Sequence, residues 1–232
     1  MFEAESKGLK LLNEGVSNIA PEVIALEENE DEMILILSFI ESGSPHKDFW
    51  RDFARKLATL HSKTNDLFGL DHPNYIGSLP QSNQQHDRWT TFFILERIEP
   101  QLKRAVDGGN LSREIPRQFS RLFLKLEEIF PDERSSLLHG DLWSGNYMVD
   151  HKGMVCLVDP AVYFGFREMD LAMMKLFGGF DASVFSHYHE FFPLEKGFEQ
   201  RMDICNLYPL LVHVNLFGAH YAHQVEGLMK RF

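Results

Sequence analysis

One segment constrains this 232-residue chain more than any other: LLHGDLWSGNYMVDHKGMVCLVDP, from Leu137 to Pro160. Two short apolar runs, Tyr147–Val149 and Met154–Val158, flank a polar turn, which is the pattern of a β-hairpin. With Lys152-Gly153 as a two-residue turn, His151 faces Met154, Val149 faces Cys156 and Tyr147 faces Val158. That register sets Asn146 opposite Asp159 at the open end of the hairpin. Facing residues on antiparallel strands lie about 5 Å apart. The amide oxygen and the carboxylate are therefore expected to grip one hard cation together, and magnesium favours a site with one or two protein oxygens. Asp141 stands in the loop just before the hairpin, placed to meet a substrate hydroxyl. A lone Asp or Asn in a loop is usually a turn or cap residue, but here one hairpin gathers three.

The rest of the chain supplies a scaffold of changing character. Met1 to Leu12 reads as a helix ending at Gly15, and Glu22–Leu26 and Met33–Phe39 read as strands around the acidic, solvated turn Glu27–Glu32. After the breakers Ser42-Gly43-Ser44-Pro45 the pattern turns helical. Phe49, Phe53, Leu57 and Leu60 mark one helix, and Ile115, Phe119, Leu122, Leu126 and Ile129 mark a long one ending at Pro131. A loop rich in Gly, Pro, Asn and Gln runs from Phe68 to about Arg88, and Met202–Phe232 is helical again. The expectation is a partial amino-terminal lobe over residues 1–43 and a helical catalytic lobe over 44–232. A net charge of −11 excludes a broad nucleic-acid footprint, and two cysteines are too few for a disulfide framework. With no signal-peptide pattern and no apolar run of membrane length, a soluble cytoplasmic protein is expected.

The spacing H-G-D-x-x-x-x-N followed by D-P matches the kinase pattern H-R-D-x-x-x-x-N and D-F-G, with Gly140 in place of Arg and Pro160 in place of Phe. It resembles the aminoglycoside and choline kinase branch of the kinase-like fold. The longer strings LLHGDLWSGN, DPAVYFGFREMDLAM, LFGGF, PLEKGFEQR and NLFG resemble the fructosamine (ketosamine) kinase family. So do FARKLATLHSKTNDLFGL, IGSLPQSN and DRWTTFFILERIEPQL, and the likeness runs from Met1 nearly to the end. The resemblance implies an α+β, protein-kinase-like two-lobe fold with an incomplete amino-terminal β lobe. It implies ATP-dependent phosphorylation of a sugar hydroxyl on a ketoamine, by positioning and charge neutralisation rather than covalent work by the protein.

Residue by residue, the resemblance makes Asp141 the catalytic base, and Asn146 and Asp159 the Mg2+ ligands. Glu5 falls where the family's helix glutamate meets a phosphate-binding lysine. Ser38, Phe39, Ile40 and Glu41 match the hinge whose backbone meets adenine, and Asp170 matches a carboxylate bracing the catalytic loop. His139 is expected to be a structural hydrogen-bonder, and Trp143 is open to either substrate stacking or packing. Two departures stand out. Phe166 occupies an expected polar position, and the family's glycine-rich loop and phosphate-gripping lysine lie before the point that matches Met1. A truncated chain of weak or no activity is the resulting expectation, with a non-catalytic pseudokinase remnant or a kinase for another small alcohol or amino sugar as the alternatives. His213, His220 and His223 share a helix face but lack a carboxylate or cysteine companion, so packing is preferred over metal. Cys156 reads as an inert buried thiol, and the loop Ile76–Asn83 is open to a substrate-side or an ordinary surface role.

Overall fold

The fold was obtained as a computed structural model, which describes residues 1–29 and 32–232. Helix α1 (Phe2–Gly15) buries Leu9 and Leu12 and leads through Ile19 and Ala20, both buried, into an antiparallel hairpin of β1 (Val23–Glu28) and β2 (Met33–Leu37). Of the acidic turn, Glu27, Glu28, Asn29 and Glu32 are exposed, and Glu30 and Asp31 lie outside the described residues. Helix α2 (Phe49–His61) buries its Phe49, Phe53, Leu57 and Leu60 face. The expected loop after Phe68 contains a short hairpin, β3 (Asn74–Ile76) with β4 (Leu79–Gln81). Its carboxamides act as buried hydrogen-bonders, which is why a composition that reads as loop is ordered here.

Next come α3 (Trp89–Phe92), a widened π turn (Phe93–Ile98) and α4 (Glu99–Asp107). The expected long helix divides into α5 (Ile115–Phe123) and α6 (Leu126–Ile129). Between them Lys125 N–H bonds to Leu122, three residues back, and tightens the chain so that Leu124 points into solvent while Leu126 stays buried. The motif segment follows as β5 (Ser136–Leu138), a 3-10 turn (Ser144–Asn146), β6 (Tyr147–Val149) and β7 (Val155–Leu157). Strand β8 (Tyr163–Gly165) pairs antiparallel with β5. The chain closes with α7 (Glu168–Phe177), α8 (Ser183–Phe191), α9 (Phe198–Cys205), α10 (Leu207–Phe217) and α11 (Ala222–Met229). Among the described residues, no helix is long and apolar enough to cross a membrane.

Two apolar cores form. One gathers α3 to α6 with α9 to α11, and the other gathers α1, α2, β7 and α8. Helix α7 belongs to both: Met169 and Ala172 face the first core, Leu171 and Met174 the second. Strand β5 does the same with Leu138 and Leu137. The motif segment therefore leaves a strand wedged between two packed bodies. Phe166 is part of this packing, stacked on Trp89 and edge-on to Phe130, so the departure at that position serves the core rather than a substrate.

Candidate active site

The hairpin differs by one residue from the expected register. Tyr147 faces Leu157, Met148 faces Cys156 and Val149 faces Val155. The cause is Asp150, whose carboxylate accepts N–H bonds from Lys152 at 2.9 Å and Met154 at 2.8 Å. This closes a three-residue loop, His151 to Gly153, in which Gly153 takes the left-handed conformation at φ 76°. Asn146 consequently faces Val158, whose N–H donates to the Asn146 carbonyl at 3.0 Å. Asp159 lies one residue further on, and its own φ of 51° is a conformation that non-glycine residues seldom hold. The two side chains still line one cavity.

That cavity, of about 400 Å³, brings together Glu5, Asp141, Trp143, Asn146 and Asp159. Its opposite walls are the β3–β4 hairpin at Tyr75–Gly77 and the face of α10 at His213, Leu216 and Phe217. The segment Ser38–Glu41 is not among its lining residues; Ser38 Oγ accepts the Glu22 N–H and the Phe39 side chain is exposed. His139 and Asp170 lie beneath the floor, fully buried.

The loop geometry follows from Asp170. Its two carboxylate oxygens accept the backbone N–H groups of His139 at 2.8 Å and Gly140 at 2.9 Å, and His61 Nε2 donates to it at 3.2 Å. Burial alone would push its carboxyl up, but the hydrogen bonds from His61 and from the Gly140 backbone N–H hold it below its ordinary value. Gly140 replaces the kinase arginine because its φ is 83° and a Cβ there would lie 2.1 Å from the Ala161 carbonyl oxygen. His139 donates from Nε2 to the Val158 carbonyl at 2.9 Å and accepts the Asp141 N–H on Nδ1 at 3.3 Å. Burial pushes its pKa down, so it stays neutral and holds the loop.

Asn146 donates both N–H bonds of its amide to Asp141, one to the backbone carbonyl at 2.9 Å and one to Oδ2 at 3.0 Å. Among the described residues no group donates to its Oδ1, and the carboxylate of Asp159, which lines the same cavity, has neither a hydrogen bond nor an ion pair. Burial pushes the Asp141 carboxyl up to about 7, against the Asn146 bond and with help from Asp170 and Asp159. Burial and then the charge of Asp159 likewise raise Glu5. Three acids thus crowd a cavity that no described Lys or Arg lines. A free amide oxygen and an unpaired carboxylate lining one cavity, in a surplus of negative charge, are the donor set a hard divalent cation fits.

The remaining motif strings have local explanations. Arg201 forks onto Glu168 and caps the carbonyls of Glu195 and Lys196, which fixes the PLEKGFEQR segment. Gly179 of LFGGF has φ 83°, and a Cβ there would lie 2.4 Å from the Ser144 Cβ. Gly179→Ala is expected to displace the 3-10 turn that holds Asn146, with about 1–3 kcal/mol of strain and a matching loss of activity. Gly227→Ala, where a Cβ meets nothing within 4 Å, is the control and should cost nothing in activity or melting temperature.

His213 stacks on Phe177 at 4.6 Å and donates from Nδ1 to the Pro209 carbonyl, while His220 and His223 are exposed. Among the described residues, no group of three or more His, Cys, Asp or Glu is gathered to hold a metal. The sequence reading missed the α10 wall, whose residues read simply as an apolar helix. It also missed a buried polar group of Asn74, Gln81, Asn83, Arg97 and Tyr208 under the cavity.

Solved structures with this architecture include a choline/ethanolamine kinase family protein of Mesorhizobium loti, with TM-score 0.59 and 12% identity over 100% of this chain and 77% of that one. A thermostable aminoglycoside phosphotransferase crystallised with AMP-PNP and hygromycin B reaches TM-score 0.60 at 15% identity, covering 98% and 82%. At that identity the likeness establishes the fold, which is that of the kinase-like small-molecule phosphotransferases. A candidate fructosamine-3-kinase of Thermobifida fusca is nearer, with TM-score 0.89 and 32% identity over 99% of this chain and 79% of that one. A probable ketoamine kinase of Enterococcus faecium is 40% identical over 233 residues, 100% of this chain and 82% of its own. The sequence pattern of the family described as Fructosamine kinase matches residues 1–232. The chain belongs to the fructosamine kinase family.

Proposed function

We propose that this protein transfers the γ-phosphoryl group of ATP to a sugar hydroxyl of a ketoamine, and that it does so in the cytoplasm, where its two buried free cysteines remain reduced. The observation that carries the reading is the division of labour within Asn146. Its amide nitrogen fixes Asp141, and its amide oxygen is left free in the cavity that Asp159 also lines.

Asp141 is the general base. Pushed up to about 7, it is matched to taking a hydroxyl proton near neutral pH, because a base is most effective when its pKa lies near the working pH. Asn146 holds Oδ2 and the backbone of Asp141 together, so the carboxylate keeps one aim. Asp170 and the neutral His139 fix the loop on which Asp141 stands. Asn146 and Asp159 are the proposed holders of Mg2+, which when bound supplies the positive charge that the cavity's own lining lacks. Glu5 is a proposed nucleotide-side contact, the Ser38–Glu41 backbone a proposed partner of adenine, and Trp143 a wall for the sugar.

The test is an assay of the purified chain with ATP, Mg2+ and fructosyl-lysine, reading ADP release and the appearance of phosphorylated fructosyl-lysine. Turnover is expected to be slow, given a lining without Lys or Arg, yet dependent on the ketosamine and absent from Asp141→Asn. Free fructose, choline and an aminoglycoside serve as rival acceptors. No ketosamine-dependent product above the Asp141→Asn background, or preference for a rival, would overturn the reading.

A further inference from the structure

A positive charge lies buried beneath the cavity. Arg97 is 0% exposed, and among the described residues no Asp or Glu side chain pairs with it. Burying a cation this way is costly unless its N–H groups are well used. Its guanidinium carbon lies 3.9 Å from the ring centre of Tyr163 and 4.5 Å from that of Phe92. Nη1 donates to the Ser82 carbonyl at 2.6 Å, and Nη2 to Asn83 Oδ1 at 2.7 Å. The π turn makes this placement available. Phe92 and Arg97 are five residues apart, a spacing that a π turn brings to one face and a regular α-helix does not.

What Arg97 does follows from its being only a donor. Asn83 must turn Oδ1 toward it, which turns the Asn83 amide nitrogen toward Asn74 Oδ1 at 2.9 Å. Asn74 Oδ1 also receives Gln81 Nε2 at 2.7 Å, so the Asn74 amide nitrogen is directed to the Val162 carbonyl at 2.7 Å. Gln81 Nε2 further reaches the Ala161 carbonyl at 3.2 Å, and Gln81 Oε1 accepts the Tyr208 hydroxyl. One end of the chain fixes the direction of every amide in it. The other ends lie on three walls of the cavity: the β3–β4 hairpin through Asn74, the Asp159–Val162 segment through the Ala161 and Val162 carbonyls, and α10 through Tyr208. The Ala161 carbonyl is also the atom that abuts Gly140, next to Asp141.

We infer that Arg97 is a positioning residue for the acceptor side of the site: by ordering the amides of Asn83, Asn74 and Gln81, it holds those three walls at the spacing at which an acceptor hydroxyl meets Asp141. The inference rests on the kinase reading above. It assigns to Arg97 no contact with substrate, and it concerns the acceptor side, because two of the three walls, the β3–β4 hairpin and α10, carry none of the residues assigned above to the nucleotide or the metal.

The experiment compares Arg97→Lys, which keeps the charge but loses the fork, with Asn83→Ala, which breaks the chain at its first amide. Phe119→Leu is the control, a substitution in the same core at a residue that does not line the cavity. Binding of fructosyl-lysine and of magnesium AMP-PNP to the full chain is measured by calorimetry, alongside melting temperature. Both test variants are expected to weaken fructosyl-lysine binding by about tenfold or more, the scale of one lost charge-assisted bond, and to leave AMP-PNP binding within about twofold. Phe119→Leu should lower the melting temperature while leaving both affinities in place. Should Arg97→Lys fail to fold, Asn83→Ala carries the comparison. Fructosyl-lysine affinity unchanged in Asn83→Ala, or reduced equally in Phe119→Leu, would overturn the inference alone. A wild-type chain that binds AMP-PNP but no ketosamine would overturn the kinase reading together with it.

Discussion

Asp141→Asn is expected to abolish phosphoryl transfer and, in metal-free buffer at pH 8, to raise the melting temperature. The activity loss should be about 10²–10⁴-fold, the usual worth of a general base. The stability gain follows from the carboxyl standing at about 7 in the fold against an ordinary 3.8. The folded protein holds this proton more tightly than the unfolded chain, so stability falls as pH rises from about 4 to about 7. Above that window the charged form is buried at a cost on the order of a few kcal/mol. An asparagine carries no such charge and can still accept the Asn146 amide N–H. The variant should therefore melt several degrees higher at pH 8 and level with the wild type at pH 4. Melting curves with EDTA at the two pH values check this. Equal melting at pH 8 would mean that Asp141 is charged at no cost, and the matched-base argument would go with it.

The opposite balance holds at Asp170. Asp170→Ala strands the His139 and Gly140 N–H groups and the His61 Nε2 donor inside the protein. Each unsatisfied buried donor costs about 1–3 kcal/mol, so a total of about 3–5 kcal/mol is expected, in line with breaking a buried charged network. Urea unfolding should show the midpoint falling with its slope unchanged. Activity should fall further than the folded fraction does, since the loop carrying Asp141 loses both of its hydrogen bonds to Asp170. A variant with wild-type turnover per folded molecule would show that the loop holds its shape without this carboxylate.

The segment Leu137–Pro160 was legible because its chemistry is local: three oxygen-bearing side chains, short apolar runs and a turn within one stretch. Its register was not, because Lys152-Gly153 is a good two-residue turn by composition, and only the Asp150 carboxylate decides for the longer loop. The kinase-like architecture was legible through the motif strings rather than through periodicity, which merged α5 with α6 and read the β3–β4 hairpin as loop. Arg97 was out of reach for a different reason. Nothing in DRWTTFFILERIEPQL announces a π turn, and an arginine in a helical pattern is expected on the surface. Its burial depends on Asn74, Gln81 and Asn83, which lie earlier in the chain and carry no pattern of their own. Side-chain amides become informative only when their partners are known.

A strand and a helix shared by both hydrophobic bodies have a consequence for how this molecule fails. Asp170 rides on α7, and the loop it grips leaves from β5, so neither half can soften without loosening the other's hold on the proton acceptor. Heat inactivation and loss of tertiary structure should therefore run together as one event, with no warm, folded, idle intermediate between them.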